Sequence, residues 1–95
     1  MTALKQRKFA LRRTSIPSRL IGEGQGRILH LAMSALGPVG SAIDLDAIVN
    51  ECASRNYLAT FKDKKLIDAG VRGIRTSVLY HLRRWEKDGV VEEKR

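Results

Sequence analysis

Apolar and polar positions segregate most clearly in the last third of the chain. Ile74, Val78, Leu79, Leu82 and Trp85 recur at helical spacing, and Val71 extends the same stripe. Arg72, Thr76, Tyr80, Arg83, Arg84 and Lys87 fall on the opposite side. The spacing predicts an amphipathic helix over about residues 72–88. Gly89 follows its last turn, where a left-handed residue closes a helix at low cost. Val90-Val91-Glu92-Glu93 then reads as a short strand.

Upstream the pattern is less regular. Residues 25–36 hold Ile28, Leu29, Leu31, Ala32, Met33, Ala35 and Leu36 and read as a helix stopped by Gly37-Pro38. Ser41-Ala42-Ile43 is expected as a short strand. Asp44 is placed to cap a further helix whose stripe is Leu45, Ile48, Val49 and Cys52, ending near Arg55-Asn56. Residues 61–69 are expected as an extra short helix capped by Thr60, with Phe61, Leu66, Ile67 and Ala69 able to pack. That helix either is an addition or itself positions the last helix, with Gly70-Val71-Arg72-Gly73 as the turn. No later segment is expected to pair with Val90–Glu93, so the wing is truncated or its partner strand comes from elsewhere, near Ile43 or near Phe9 to Leu11.

Composition narrows the class. The chain has 95 residues, enough for one small domain, and 43% are apolar, enough for a core. Aromatics are only 5%, so that core should be aliphatic and helical. The formal charge is +8, which favours a polyanionic partner. Residues 1–21 carry Lys5, Arg7, Lys8, Arg12, Arg13 and Arg19 with no acidic residue. They are expected to form a basic flexible arm, removable without loss of the fold, with the domain proper over 22–95. Gly22-Glu23-Gly24-Gln25-Gly26 reads as a hinge, because no strand precedes it and no Lys–Ser/Thr pair follows to make a phosphate loop.

The run from the helix through Arg83-Arg84-Trp85-Glu86-Lys87-Asp88-Gly89-Val90-Val91 resembles the recognition helix and first wing strand of winged helix-turn-helix DNA-binding proteins. What carries it is Thr76-Ser77 near the helix start, then leucines, then the basic–aromatic–Asp-Gly-Val-Val close. It runs over residues 71–93 and, more loosely, over 24–70. The resemblance implies a mainly α fold of three to four helices with a small β wing. It also implies sequence-specific binding of double-stranded DNA and the role of a small transcriptional regulator.

Helix-turn-helix docking places base-reading residues near the helix N-terminus, so Arg72, Arg75, Thr76 and Ser77 are the candidates for base contact. Tyr80, Arg83, Arg84 and Lys87 would meet the backbone or groove wall. The six cations of the arm, Lys5 to Arg19, would follow phosphates. Trp85 shares the apolar face and reads as core. A protein-interaction module in a larger assembly and an RNA-binding protein are the alternative readings.

No enzyme, metal or cofactor is expected. His30 and His81 lack metal-ligand spacing, Cys52 falls on an apolar stripe, and Asp44 and Asp46 suit a helix start. No apolar run approaches the roughly 18 residues of a membrane span. A single cysteine fits a reducing cytoplasm. The oligomeric state is left open.

Overall fold

The computed structural model describes residues 7–21 and 24–94. The order of elements is β1 (Lys8–Leu11), α1 (Ser18–Ile21), α2 (Gln25–Leu36), β2 (Ile43–Asp44), α3 (Leu45–Ser54), a 3-10 turn (Tyr57–Thr60), α4 (Lys64–Ala69), α5 (Val71–Lys87) and β3 (Val91–Lys94). The fold is therefore mainly helical with a small antiparallel sheet, a winged-helix-like arrangement. Its five helices among the described residues exceed the expected three to four by α1, which forms in the supposed arm.

The arm is the main correction. Strand β1 lies at the centre of the sheet, in the order β2-β1-β3. It pairs antiparallel with β2 through Lys8↔Asp44 and Phe9↔Ile43. On its other side it pairs with β3 from Lys8↔Lys94 to Leu11↔Val91. Phe9, Ala10 and Leu11 are all buried, as are Ile16 and Leu20 beyond them. Residues 7–21 thus belong to the core-forming domain, and the boundary expected at 21/22 does not separate it from a loose arm. Both expected partners of the last strand's sheet are present, with Phe9–Leu11 beside β3 and Ile43 one strand further out.

Helix α5 is fixed along its length. Ile74, Val78, Leu82 and Trp85 are fully buried. The indole Nε1 of Trp85 donates to the Leu20 carbonyl at 3.2 Å, tying α5 to α1. At its C-terminus the Val90 N–H bonds back to the Trp85 carbonyl at 2.9 Å and the Gly89 N–H to the Glu86 carbonyl at 3.1 Å. Gly89 takes φ +74, the left-handed conformation that this closing motif needs. Val90 and Val91 are then delivered, buried, into the sheet.

Helix α3 supports α5 from beneath, through buried Leu45, Ile48, Val49 and Cys52. Asp44 stands at its N-cap position as expected, but its carboxylate makes no capping hydrogen bond. Instead it lies 4.0 Å from the Lys8 ammonium.

The expected helix over 61–69 is shorter. Thr60 does not cap it: its hydroxyl donates to the Tyr57 carbonyl at 2.7 Å and closes the 3-10 turn. Asp63 is the cap, accepting from the Lys65 N–H at 2.9 Å, because its carboxylate stands where the free N–H groups of α4 point. Phe61 is buried, edge-on to Tyr57 at 5.6 Å, whereas Ile67 is 43% exposed and does not pack. Nor is Gly70–Gly73 a turn; Gly70 alone, at φ +60, separates α4 from α5.

Candidate nucleic-acid interface

The outward side of α5 carries a stripe built on one helical register. Arg72, Thr76, Tyr80, Arg83, Arg84 and Lys87 are all exposed, with Leu79 half-buried beside them. A helix of 17 residues is about 25 Å long, so the stripe runs the depth of the domain. Thr76 is exposed, and its hydroxyl donates to the Arg72 carbonyl at 3.0 Å, which leaves the oxygen its lone pairs to accept with. The Arg84 guanidinium lies 5.7 Å from the centre of the Tyr80 ring, and His81 meets that ring edge-on at 5.5 Å. A shallow hollow is lined by Thr76, Leu79, Tyr80, Arg83, Arg84 and Lys87. Arg72, Arg83, Arg84 and Lys87 form no ion pair among the described residues. Their charge is free for an outside anion.

Two expected base-contacting residues are placed differently. Ser77 is 8% exposed and faces inward. Its hydroxyl donates to Gln25 Oε1 at 2.7 Å. The Tyr57 hydroxyl lies 2.9 Å away and donates to Ser77, since the serine has one proton to give. Gln25 Oε1 also receives His81 Nε2–H at 3.0 Å. Ser77 therefore belongs to a polar chain joining the 3-10 turn, α5 and the first turn of α2, with its proton committed to Gln25 and its side chain buried away from the outer face. Arg75 is exposed, but its guanidinium is held by Asp46 from the first turn of α3.

The state of His81 fits this chain. Burial, with a contribution from the Arg84 charge, lowers its pKa below the usual imidazole value. The ring is thus neutral at pH 7 and serves as a donor to Gln25. Burial also pushes the Cys52 thiol up to about 12, so it remains a protonated core residue.

Three of the six N-terminal cations expected to follow phosphates are engaged elsewhere. Arg7 forms a two-pronged pair with Glu93, at 2.8 and 3.0 Å, which raises its pKa. Lys8 approaches Asp44, and Arg19 lies 3.8 Å from Asp88. Arg12 and Arg13 are exposed at the end of β1, where the Arg12 N–H bonds the Val90 carbonyl at 2.9 Å, close to the C-terminal end of α5. Lys5 lies outside the described residues, as do Gly22 and Glu23 of the expected hinge.

Sequence reasoning passed over Lys62, Lys64 and Lys65. All three are exposed, and none has an ion pair among the described residues. The signal was present as a Lys-Asp-Lys-Lys run, but its position relative to α5 was unknown.

Among the described residues, no three His, Cys, Asp or Glu side chains gather as a metal site would need. No helix among them is long and apolar enough to cross a membrane. No family model matches the chain, and no curated protein or solved structure matches it.

Proposed function

We propose that this chain binds double-stranded DNA in a sequence-dependent way through the exposed face of α5, as a small transcriptional regulator would. The supporting observation is the stripe Arg72–Thr76–Tyr80–Arg83–Arg84–Lys87, in which four cations without carboxylate partners stand on a helix whose other side is locked into the core. A major groove about 12 Å wide accepts one helix. A helix entering it by its N-terminal half brings Arg72 and Thr76 to the base edges. The Arg72 guanidinium can give paired hydrogen bonds to guanine O6 and N7, and the Thr76 methyl can lie against a thymine methyl. Tyr80, Arg83, Arg84 and Lys87 follow where the helix meets the phosphates and groove wall.

Rigidity matters here as much as charge. Base readout needs the helix held in one rotation about its axis. The buried stripe, the Trp85–Leu20 bond and the chain Tyr57–Ser77–Gln25–His81 all fix that rotation.

Binding should weaken with salt at least as steeply as a log–log slope of about −2.7, the value for three phosphates neutralised by Arg83, Arg84 and Lys87. A preferred site selected from a random duplex library supplies the second test. Replacing Arg72 and Thr76 with Ala should narrow the gap between that site and random DNA by about 1–3 kcal/mol per lost base contact. Competition titrations measure this directly. Unchanged discrimination in the double variant would remove α5 from the role of reader.

A further inference from the structure

We infer that the segment Lys62–Lys65, not the N-terminal residues, grips the phosphodiester backbone of the duplex that α5 enters. The inference rests on the DNA reading above and gives its electrostatic share a location.

Helix α4 has no fully buried residue, and only its half-buried Leu66 packs against the core. Yet it is held tightly. A Cβ on Gly73 would lie 2.3 Å from the Leu66 carbonyl oxygen and 3.4 Å from the Leu66 Cα. Only glycine allows this main-chain approach between α4 and the first turn of α5. Buried Phe61 anchors the segment just before Lys62, and Asp63 fixes the first turn through the Lys65 N–H. Gly70 supplies the single-residue break that folds α4 back against α5.

The result is a short element carried rigidly beside the base-reading end of α5. Lys62, Lys64 and Lys65 are all exposed, and the Gly73–Leu66 approach carries their segment against the first turn of α5, the turn that bears Arg72. Asp63 and Asp68 lie in the same segment, and residues 62–68 keep one net positive charge. Such a patch attracts weakly at long range and acts on contact, which suits individual phosphates flanking a groove.

The described N-terminal cations are placed differently. Arg7, Lys8 and Arg19 already face Glu93, Asp44 and Asp88, and Arg12 and Arg13 lie by the C-terminal end of α5, away from α4. Drawing the first three onto DNA would break those pairs.

The test compares salt dependence of binding to one duplex for three proteins. These are the unsubstituted chain, K62Q/K64Q/K65Q, and R12Q/R13Q/R27Q as a control with the same loss of charge at exposed positions. The lysine variant should melt at an unchanged temperature and lose about two to three units of log–log slope. It should keep its preference for a selected site over random DNA to within about threefold, since backbone contacts carry no sequence information. The control should lose less than about one unit. An unchanged slope in the lysine variant, or an equal loss in the control, overturns the inference while leaving the role of α5 standing. Absence of duplex binding by the unsubstituted chain overturns the DNA reading itself, before any variant is compared.

Discussion

Removing residues 1–11 is expected to abolish cooperative folding. The deletion takes out β1, the strand between β2 and β3, and so leaves the two-residue β2 and the four-residue β3 without a partner. It also removes Phe9 and Leu11, which are 2% and 3% exposed. Burying each such side chain contributes about 1.5–3 kcal/mol, and the lost ladder hydrogen bonds add to this. Set against a total of about 5–15 kcal/mol for a domain, the loss is enough to unfold one this small. Circular dichroism melts would show a broad or absent transition. A truncated chain that still melts cooperatively, within a few degrees of the full chain, would mean that β1 is dispensable and that these residues act as an arm after all.

The next largest effect should come from Trp85. It is fully buried, and its Nε1 satisfies the Leu20 carbonyl. Trp85→Ala should cost about 3–5 kcal/mol, as large core truncations do. It would also strand a carbonyl that has lost its donor. Tyr80, two turns from the helix end, is 59% exposed. Tyr80→Ala should change stability by less than about 1 kcal/mol, as exposed sites generally do. Urea titrations of both variants give the comparison. Equal losses would contradict the facing of α5, on which the interface depends.

That facing was legible in the sequence because α5 is long and strongly segregated. Its stripe predicts Ile74, Val78, Leu82 and Trp85 as buried correctly, but Val71, expected to extend it, is 55% exposed and Leu79 only half-buried; Gly89 marks its end. The strand after it was legible for the same local reason. The place of β1 was legible only as one of two candidate partners for that strand, and its central position was not. Lys8-Phe9-Ala10-Leu11 has only Phe9 and Leu11 as large apolar residues, inside a run of cations. What makes it a central strand is pairing with Ile43 and with Val91 to Lys94, contacts remote in sequence that no local window contains. Net charge was misleading there too. Six cations without an acid in residues 1–21 look unpaired, yet Arg7, Lys8 and Arg19 find carboxylates from other segments.

Ser77 shows the same limit within the candidate site. A hydroxyl near a helix start reads as available. Its partners Tyr57 and Gln25 lie 20 and 52 residues away, and only folding brings them to it. The lysines of 62–65 erred in the opposite direction. They were visible in sequence, but their placement beside α5 depends on Gly73 letting α4 lie against it. In both cases the residue type was readable and its surroundings were not.

The central claim is that the outward face of α5 meets duplex DNA, and amide chemical-shift mapping tests it most directly. A short duplex is added to labelled protein at low salt, about 50 mM, where phosphate contacts are strong. The account predicts the largest shifts at Arg72, Thr76, Tyr80, Arg83, Arg84 and Lys87, with the outer face of α2 around Leu31 and Ala35 nearly unchanged. Shifts centred on α2 with a silent α5, or no shifts at any duplex concentration, would contradict it.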